Sequence, residues 1–257
     1  MTPKVLVKYL LRIKEPLNKL EAVKVLKEVK ICLDGAGVEY WLDQGSLLGA
    51  IRDKDFIPWD TDIDIGAMYS GFNKIVQKIS EFQRRGFLVR ISDFKIHLRK
   101  NDVSVNIVLY RISREEAWLC WQMDGLKYTY LIMSLVNVLS HGHLYKNKFS
   151  LERIIYLAAP YFLRIFFRRI LYRIWESLGG KYLILRTPKT YYERLDTVLF
   201  HNMEISVPSP IEGYLAYKYG RNWREVNRNW NFRRQDGSVR GISVFGLDRL
   251  GNIDYHI

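Results

Sequence analysis

The sequence is short of cysteine, of acid relative to base, and of long apolar runs. Two cysteines, Cys32 and Cys120, occur in 257 residues, which excludes a disulfide-stapled scaffold and any cysteine-rich metal knuckle. Cys32 falls in an apolar helical pattern and reads as a buried thiol, and the reducing cytoplasm is the expected compartment. No apolar stretch approaches the roughly 18 residues of a spanning helix. Near the start, Lys4, Lys8, Arg12 and Lys14 interrupt Val5-Leu6-Val7 and Leu10-Leu11, so no signal peptide is expected. Acidic residues number 27 against 40 basic ones, a net charge of +13. Such a field suits an anionic partner, whether nucleic acid, an acidic membrane surface or a phosphorylated substrate, without choosing among them. No RNA-binding motif accompanies the charge, so nucleic acid is not expected. There is no internal repeat and no low-complexity linker. What remains is an ordinary hydrophobic content of 48%, enough for one elaborated domain with a sizeable core, or for a domain carrying an insertion.

One stretch carries chemistry. Tyr40-Trp41-Leu42-Asp43-Gln44-Gly45-Ser46-Leu47-Leu48-Gly49-Ala50-Ile51-Arg52 is followed by Phe56-Ile57-Pro58-Trp59-Asp60-Thr61-Asp62-Ile63-Asp64-Ile65-Gly66. Two short apolar runs read as strands, with a Gly-Ser turn opening a helical turn between them. Along an extended strand, Asp60, Asp62 and Asp64 share one face while Ile63 and Ile65 face a core. Carboxylates so close repel unless a cation sits among them, and a hard ion such as Mg²⁺ (or Mn²⁺) is the expected solution. Gly45 allows a ligand close to the backbone, and amides at the following helix start favour an anion. Metal on one side and donor amides on the other would clamp a phosphoanhydride. Arg52 is a further candidate phosphate contact, or a solvated helix end.

These residues resemble the signature of the LicD family, which includes fukutin and fukutin-related protein, within the nucleotidyltransferase-fold superfamily. The resemblance covers residues 40–66 closely and residues 207–223 more loosely. It implies a metal-dependent transfer of a phospho-alcohol, such as phosphocholine or a polyol phosphate, from a CDP-linked donor to a hydroxyl of a glycan or lipid-linked glycan. Asp62 and Asp64 would hold the metal, with Asp60 in support and Gly45 and Ser46 at the donor phosphates. The family places a third carboxylate in the strand that reads Val103-Ser104-Val105-Asn106-Ile107-Val108-Leu109 here, and position 106 is Asn. An amide cannot serve as a base. Three readings stand: Asp60 is the extra carboxylate, His97 on a neighbouring strand is the base, or the enzyme is slow or inactive. Two other functions compete with phosphotransfer: moving NMP from an NTP, and a catalytically impaired, membrane-associated glycan-binding role.

The fold class expected is α+β, a nucleotidyltransferase-like mixed sheet flanked by helices with a helical insertion. Residues 1–125 form the core, 126–183 the insertion and 184–257 the closing part of the same domain. The spacing of Ala22, Leu26, Val29 and Leu33 predicts a helix over 17–34 ended by Gly35 and Gly37. A helix at about 71–84 is expected with Ser70 as its cap, then strands at 87–91, 94–99 and 103–110. Asp102 falls in the turn between the last two. In the insertion, Tyr128–Leu139 is an apolar run. Ile154–Trp175 carries Arg164, Arg168, Arg169 and Arg173 at helical spacing, with Ile155, Phe162, Phe166, Ile170 and Ile174 mostly elsewhere. Such a helix either lies in an anionic membrane surface, placing the protein on the inner face of the cytoplasmic membrane, or packs on the sheet with its arginines in water. His141 and His143 read as turn residues. A helix beginning at Pro210, capped by Ser209 and ended by Gly220, seals the core, and Arg233, Arg234 and Arg240 read as an exposed basic tail.

Overall fold

The computed structural model describes residues 15–123, 129–142 and 151–243. The expectations for residues 1–14, Tyr128 and His143 lie outside them. Helix α1 (Lys19–Asp34) forms where expected. Asn18 caps it by accepting the Glu21 N–H, and Ala22, Val25, Leu26, Val29, Cys32 and Leu33 are all buried along one face. Strand β1 (Tyr40–Leu42) follows, then α2 (Gln44–Arg52) and β2 (Asp62–Met68). The expected single helix after β2 is divided. A 3₁₀ turn at Tyr69–Gly71 leads into α3 (Phe72–Gln77) and α4 (Ile79–Arg84), broken at Lys78. Ser70 makes no capping bond because it lies inside that 3₁₀ turn. The break costs the core nothing, since Phe72, Ile75, Ile79 and Phe82 all stay buried.

Strands β3 (Leu88–Ser92), β4 (Lys95–Lys100) and β5 (Val103–Ser113) form the expected meander, with Asp102 in its last turn. The result is a mixed α/β fold whose sheet is mostly antiparallel: β1 pairs antiparallel with β2, β2 parallel with β5, and β5 antiparallel with β4. Polar groups on β2, β5 and β4 at one level therefore become neighbours. The far end of β5 departs from β2 and pairs with β6 (Glu116–Met123), which pairs in turn with β7 (Lys181–Pro188). Neither β6 nor the start of β7 was legible, because Trp, Cys and Tyr interrupt any clean alternation there.

Among the described residues, three helices stand between these two paired strands: α5 (Thr129–His141), α6 (Leu151–Ala158) and α7 (Tyr161–Ser177). Pro160 separates α6 from α7. Among the described residues no helix is long and apolar enough to cross a membrane. The chain then forms α8 (Thr190–Glu193), the hairpin β8 (Leu195–Phe200) and β9 (Met203–Pro208), and α9 (Ile211–Tyr219). Pro210, not Ser209, occupies the cap position of α9, and Gly220 ends it at φ +85°. The expected basic tail is ordered onto the body. Arg233 and Arg234 lie in α10 (Phe232–Gln235), and β10 (Val239–Ser243) pairs with β7.

Candidate active site

The acidic strand and the Gly-Ser turn are stitched together by main-chain and hydroxyl bonds. Asp43 N–H donates to the Asp64 carbonyl at 3.0 Å, and the Asp64 N–H donates to Ser46 Oγ at 2.9 Å. Ser46 thus lends its hydroxyl oxygen as an acceptor to the strand that carries the carboxylates. Asp60 precedes the strand proper, and its carboxylate lies against Gly45, where an added Cβ would stand 2.5 Å from Asp60 Oδ2. Only glycine lets that carboxylate reach the helix start, where the dipole favours it. Gln44 turns the chain with φ +47°, and its Nε2 is buried without an acceptor, an unspent donor beside Gly45.

Across the sheet, Asp64 on β2, Asn106 on β5 and His97 on β4 are register neighbours. Asn106 Nδ2 donates to Asp64 Oδ1 at 2.9 Å and to Asp62 Oδ2 at 3.2 Å. Its Oδ1 takes the His97 Nδ1 proton at 3.1 Å, which leaves His97 Nε2 as an acceptor. Burial first, then the Asp62 charge beside it, pushes the Asp64 carboxyl well above the usual range, against the Asn106 bond. Burial and the charges of Lys95 and Arg90 push His97 down to about 4, so it is neutral at physiological pH. Such a site is short of positive charge and rich in carboxylate.

Among the described residues no three His, Cys, Asp or Glu side chains form a ready metal cluster. The donor set is two carboxylates with an amide beside them. That composition fits Mg²⁺ or Mn²⁺, which draws few ligands from protein and completes its shell with water and phosphate oxygens. It does not fit zinc.

The residue that sequence reasoning missed is Asp43. It is fully buried, caps α2 through the Gln44 N–H at 2.8 Å, and accepts the hydroxyls of Tyr110 at 2.5 Å and of Tyr214. Both phenols are held well above their usual range by burial and by the Asp43 charge, so they remain donors. An Asp directly before a helix start is a cap signal and was available. The tyrosines, distant in sequence, were not. Arg52 stands at the other end of α2, about 10 Å from Gly45 along the axis. There its guanidinium grips both Asp53 oxygens at 2.8 Å and lines a cleft of about 340 Å³ with Lys54, Glu212, Trp223 and Arg224.

Residues 37–129 match the LicD/FKTN/FKRP nucleotidyltransferase domain. The LicD-like segment contains every expected site residue, from Gly45 to Asn106. Curated relatives include uncharacterized proteins of Rickettsia typhi, 28% identical over 97 residues (38% of this chain, 31% of the relative), and Rickettsia prowazekii, 30% over 103 residues (35% and 39%). Ribitol 5-phosphate transferase FKRP of Homo sapiens is 65% identical over 34 residues, 13% of this chain and 7% of FKRP. The chain thus spans well under half the length of the curated relatives it matches. Similar solved structures are ANT(2")-Ia in complex with adenylyl-2"-tobramycin, 10% identical, and ANT(2'')-Ia in solution, 12% identical. They cover 58% and 62% of this chain and 95% and 93% of theirs, with TM-scores of 0.31 and 0.33.

Proposed function

We propose that the LicD-like site performs phosphotransfer from a CDP-linked alcohol to a hydroxyl of a glycan or lipid-linked glycan. The observation that supports this most is the carboxylate pair Asp62–Asp64 held at the start of α2 by Ser46 and bridged by Asn106. Asp62 and Asp64 would hold Mg²⁺ or Mn²⁺, whose charge offsets that developing on the transferred phosphoryl group and on the departing CMP. An acceptor oxygen bonds to the phosphorus bearing the alcohol, the bond from that phosphorus to the bridging oxygen breaks, and CMP leaves with the electron pair. The Gly45 backbone and the unspent Gln44 Nε2 offer donors to phosphate oxygens, and Asp60 lies at the same helix start. His97, neutral and with Nε2 open, is able to accept the hydroxyl proton. Its low basicity makes it a weak base, so its first service is to hold the Asn106 amide against the carboxylates. Arg52 lines a separate cleft and would reach an anionic part of a substrate only there.

The test is a panel of CDP-alcohols and NTPs with the full chain and Mg²⁺, scored for CMP or pyrophosphate. CMP formation that vanishes with chelator and drops on the order of 10³-fold in Asp64→Ala is expected. Pyrophosphate from NTPs would replace this reading with nucleotidyl transfer. Tight nucleotide binding without turnover would leave a binding role, which the amide at position 106 favours.

A further inference from the structure

The sequence left two orientations open for the arginine helix α7, and the structure turns two of its arginines inward. Arg164 faces inward, donating to the carbonyls of Tyr156 and Ala159 at 2.9 and 3.2 Å and lying over the Tyr156 ring. Arg168 also faces inward, reaching Ser140 Oγ at 3.4 Å, and Trp175 on the same side is fully buried. The apolar stripe faces out. Phe162, Phe166, Ile170 and Ile174 recur every four residues and are 67%, 56%, 37% and 42% exposed, with Phe167 beside them at 48%. Of the 18 exposed large hydrophobic residues among the described ones, 11 lie on α5, α6 and α7. Single exposed apolar residues need no explanation, but a concentration of this kind marks a binding face.

We infer that this face docks on an anionic lipid surface, with the aromatic and aliphatic side chains of α7 entering the headgroup boundary and Arg169 and Arg173 contacting lipid phosphates. The charge argues for lipid. Helical geometry places Arg169 and Arg173 along the border of the stripe next to Phe162 and Phe166, both are exposed, and α7 carries four arginines against one glutamate. Long basic side chains at the edge of an apolar face can bury their stems and keep their heads at phosphate level. A second copy of the chain would bring the same arginine border against itself, on a molecule of net charge +13, which opposes self-association. The docked face is tied to the catalytic sheet. His141 Nε2 at the end of α5 and the Tyr172 hydroxyl of α7 bond the two Asp93 oxygens at 2.9 and 3.1 Å. Asp93 lies in the turn that leads into β4, the strand of His97.

Co-sedimentation of the full chain with vesicles tests this without donor, acceptor or turnover, so its outcome is independent of the phosphotransfer reading. Binding to vesicles containing phosphatidylglycerol, with much weaker binding to pure phosphatidylcholine, is expected. Arg169→Gln with Arg173→Gln should weaken it about 30-fold, at the strength of a basic residue near an anionic bilayer. Phe166→Ser with Ile170→Ser should weaken it at least tenfold. These positions are exposed, and an unchanged melting temperature will show that the variants are folded. Equal recovery of wild type and variants in the supernatant, or a dimer in sedimentation velocity that the Phe166/Ile170 variant dissolves, would overturn the assignment.

Discussion

The sheet that carries the candidate site and the helical insertion break opposite rules. In the sheet and at the helix start beside it, polar groups are buried where apolar ones are expected: Asp43, Ser46, Asp64 and Asn106 are all buried, and each has a partner. In the insertion, apolar groups are exposed where polar ones are expected, and two arginines are turned inward. A buried carboxylate with no function would be replaced by a well-packed hydrophobe at little cost or some gain. An exposed phenylalanine stripe likewise adds nothing to the fold. The contrast is what the two proposals above require, a small charged ligand in the sheet and a lipid surface on the helices.

The sharpest way to break the sheet's half of this contrast is Asp43→Ala. It removes the α2 cap and strands two buried phenols, and a loss of about 3–5 kcal/mol in urea unfolding is expected. An effect below about 1 kcal/mol would show that the knot around Asp43 is slack. The joint between the regions comes next. Burial alone would raise the Asp93 carboxyl, but the His141 bond and the charges of His141, Arg168 and Arg111 hold it at about 2, against 3.8 for a free one. The folded chain therefore gains stability from Asp93 that is complete above about pH 4 and lost as pH falls toward 2. Asp93→Asn should cost about 2 kcal/mol at pH 7 and flatten that acid limb in a pH series of denaturation midpoints.

Asn106→Asp restores a third carboxylate and removes the amide donors. The metal-free protein should lose about 1–3 kcal/mol, and millimolar Mg²⁺ should recover most of it by calorimetry. No recovery would mean the pair does not hold a cation. The smallest effect is expected at Gln44→Ala, an increase in KM for the donor of about fivefold with kcat little changed, if its amide meets a phosphate oxygen.

How much of this was legible follows from locality. The α1 stripe, the meander and the Asp62/Asp64 face rest on spacing within a few residues, and they formed as spacing implied. The pairing of Asp64 with Asn106 needed a parallel register between β2 and β5, which no local pattern encodes. For α7 the spacing left two orientations open, because its arginines and its aromatics both recur at helical intervals. Which set turns inward was decided by the carbonyls of Tyr156 and Ala159 and by Ser140, none of them on α7.

The Tyr214 hydroxyl that fastens Asp43 belongs to α9, far beyond the segment that matches the LicD domain. A protein cut after that segment would keep every candidate site residue from Gly45 to Asn106, yet the start of α2 would lose one of its two phenolic anchors. A piece of this chain that keeps both anchors of Asp43 therefore extends through α9.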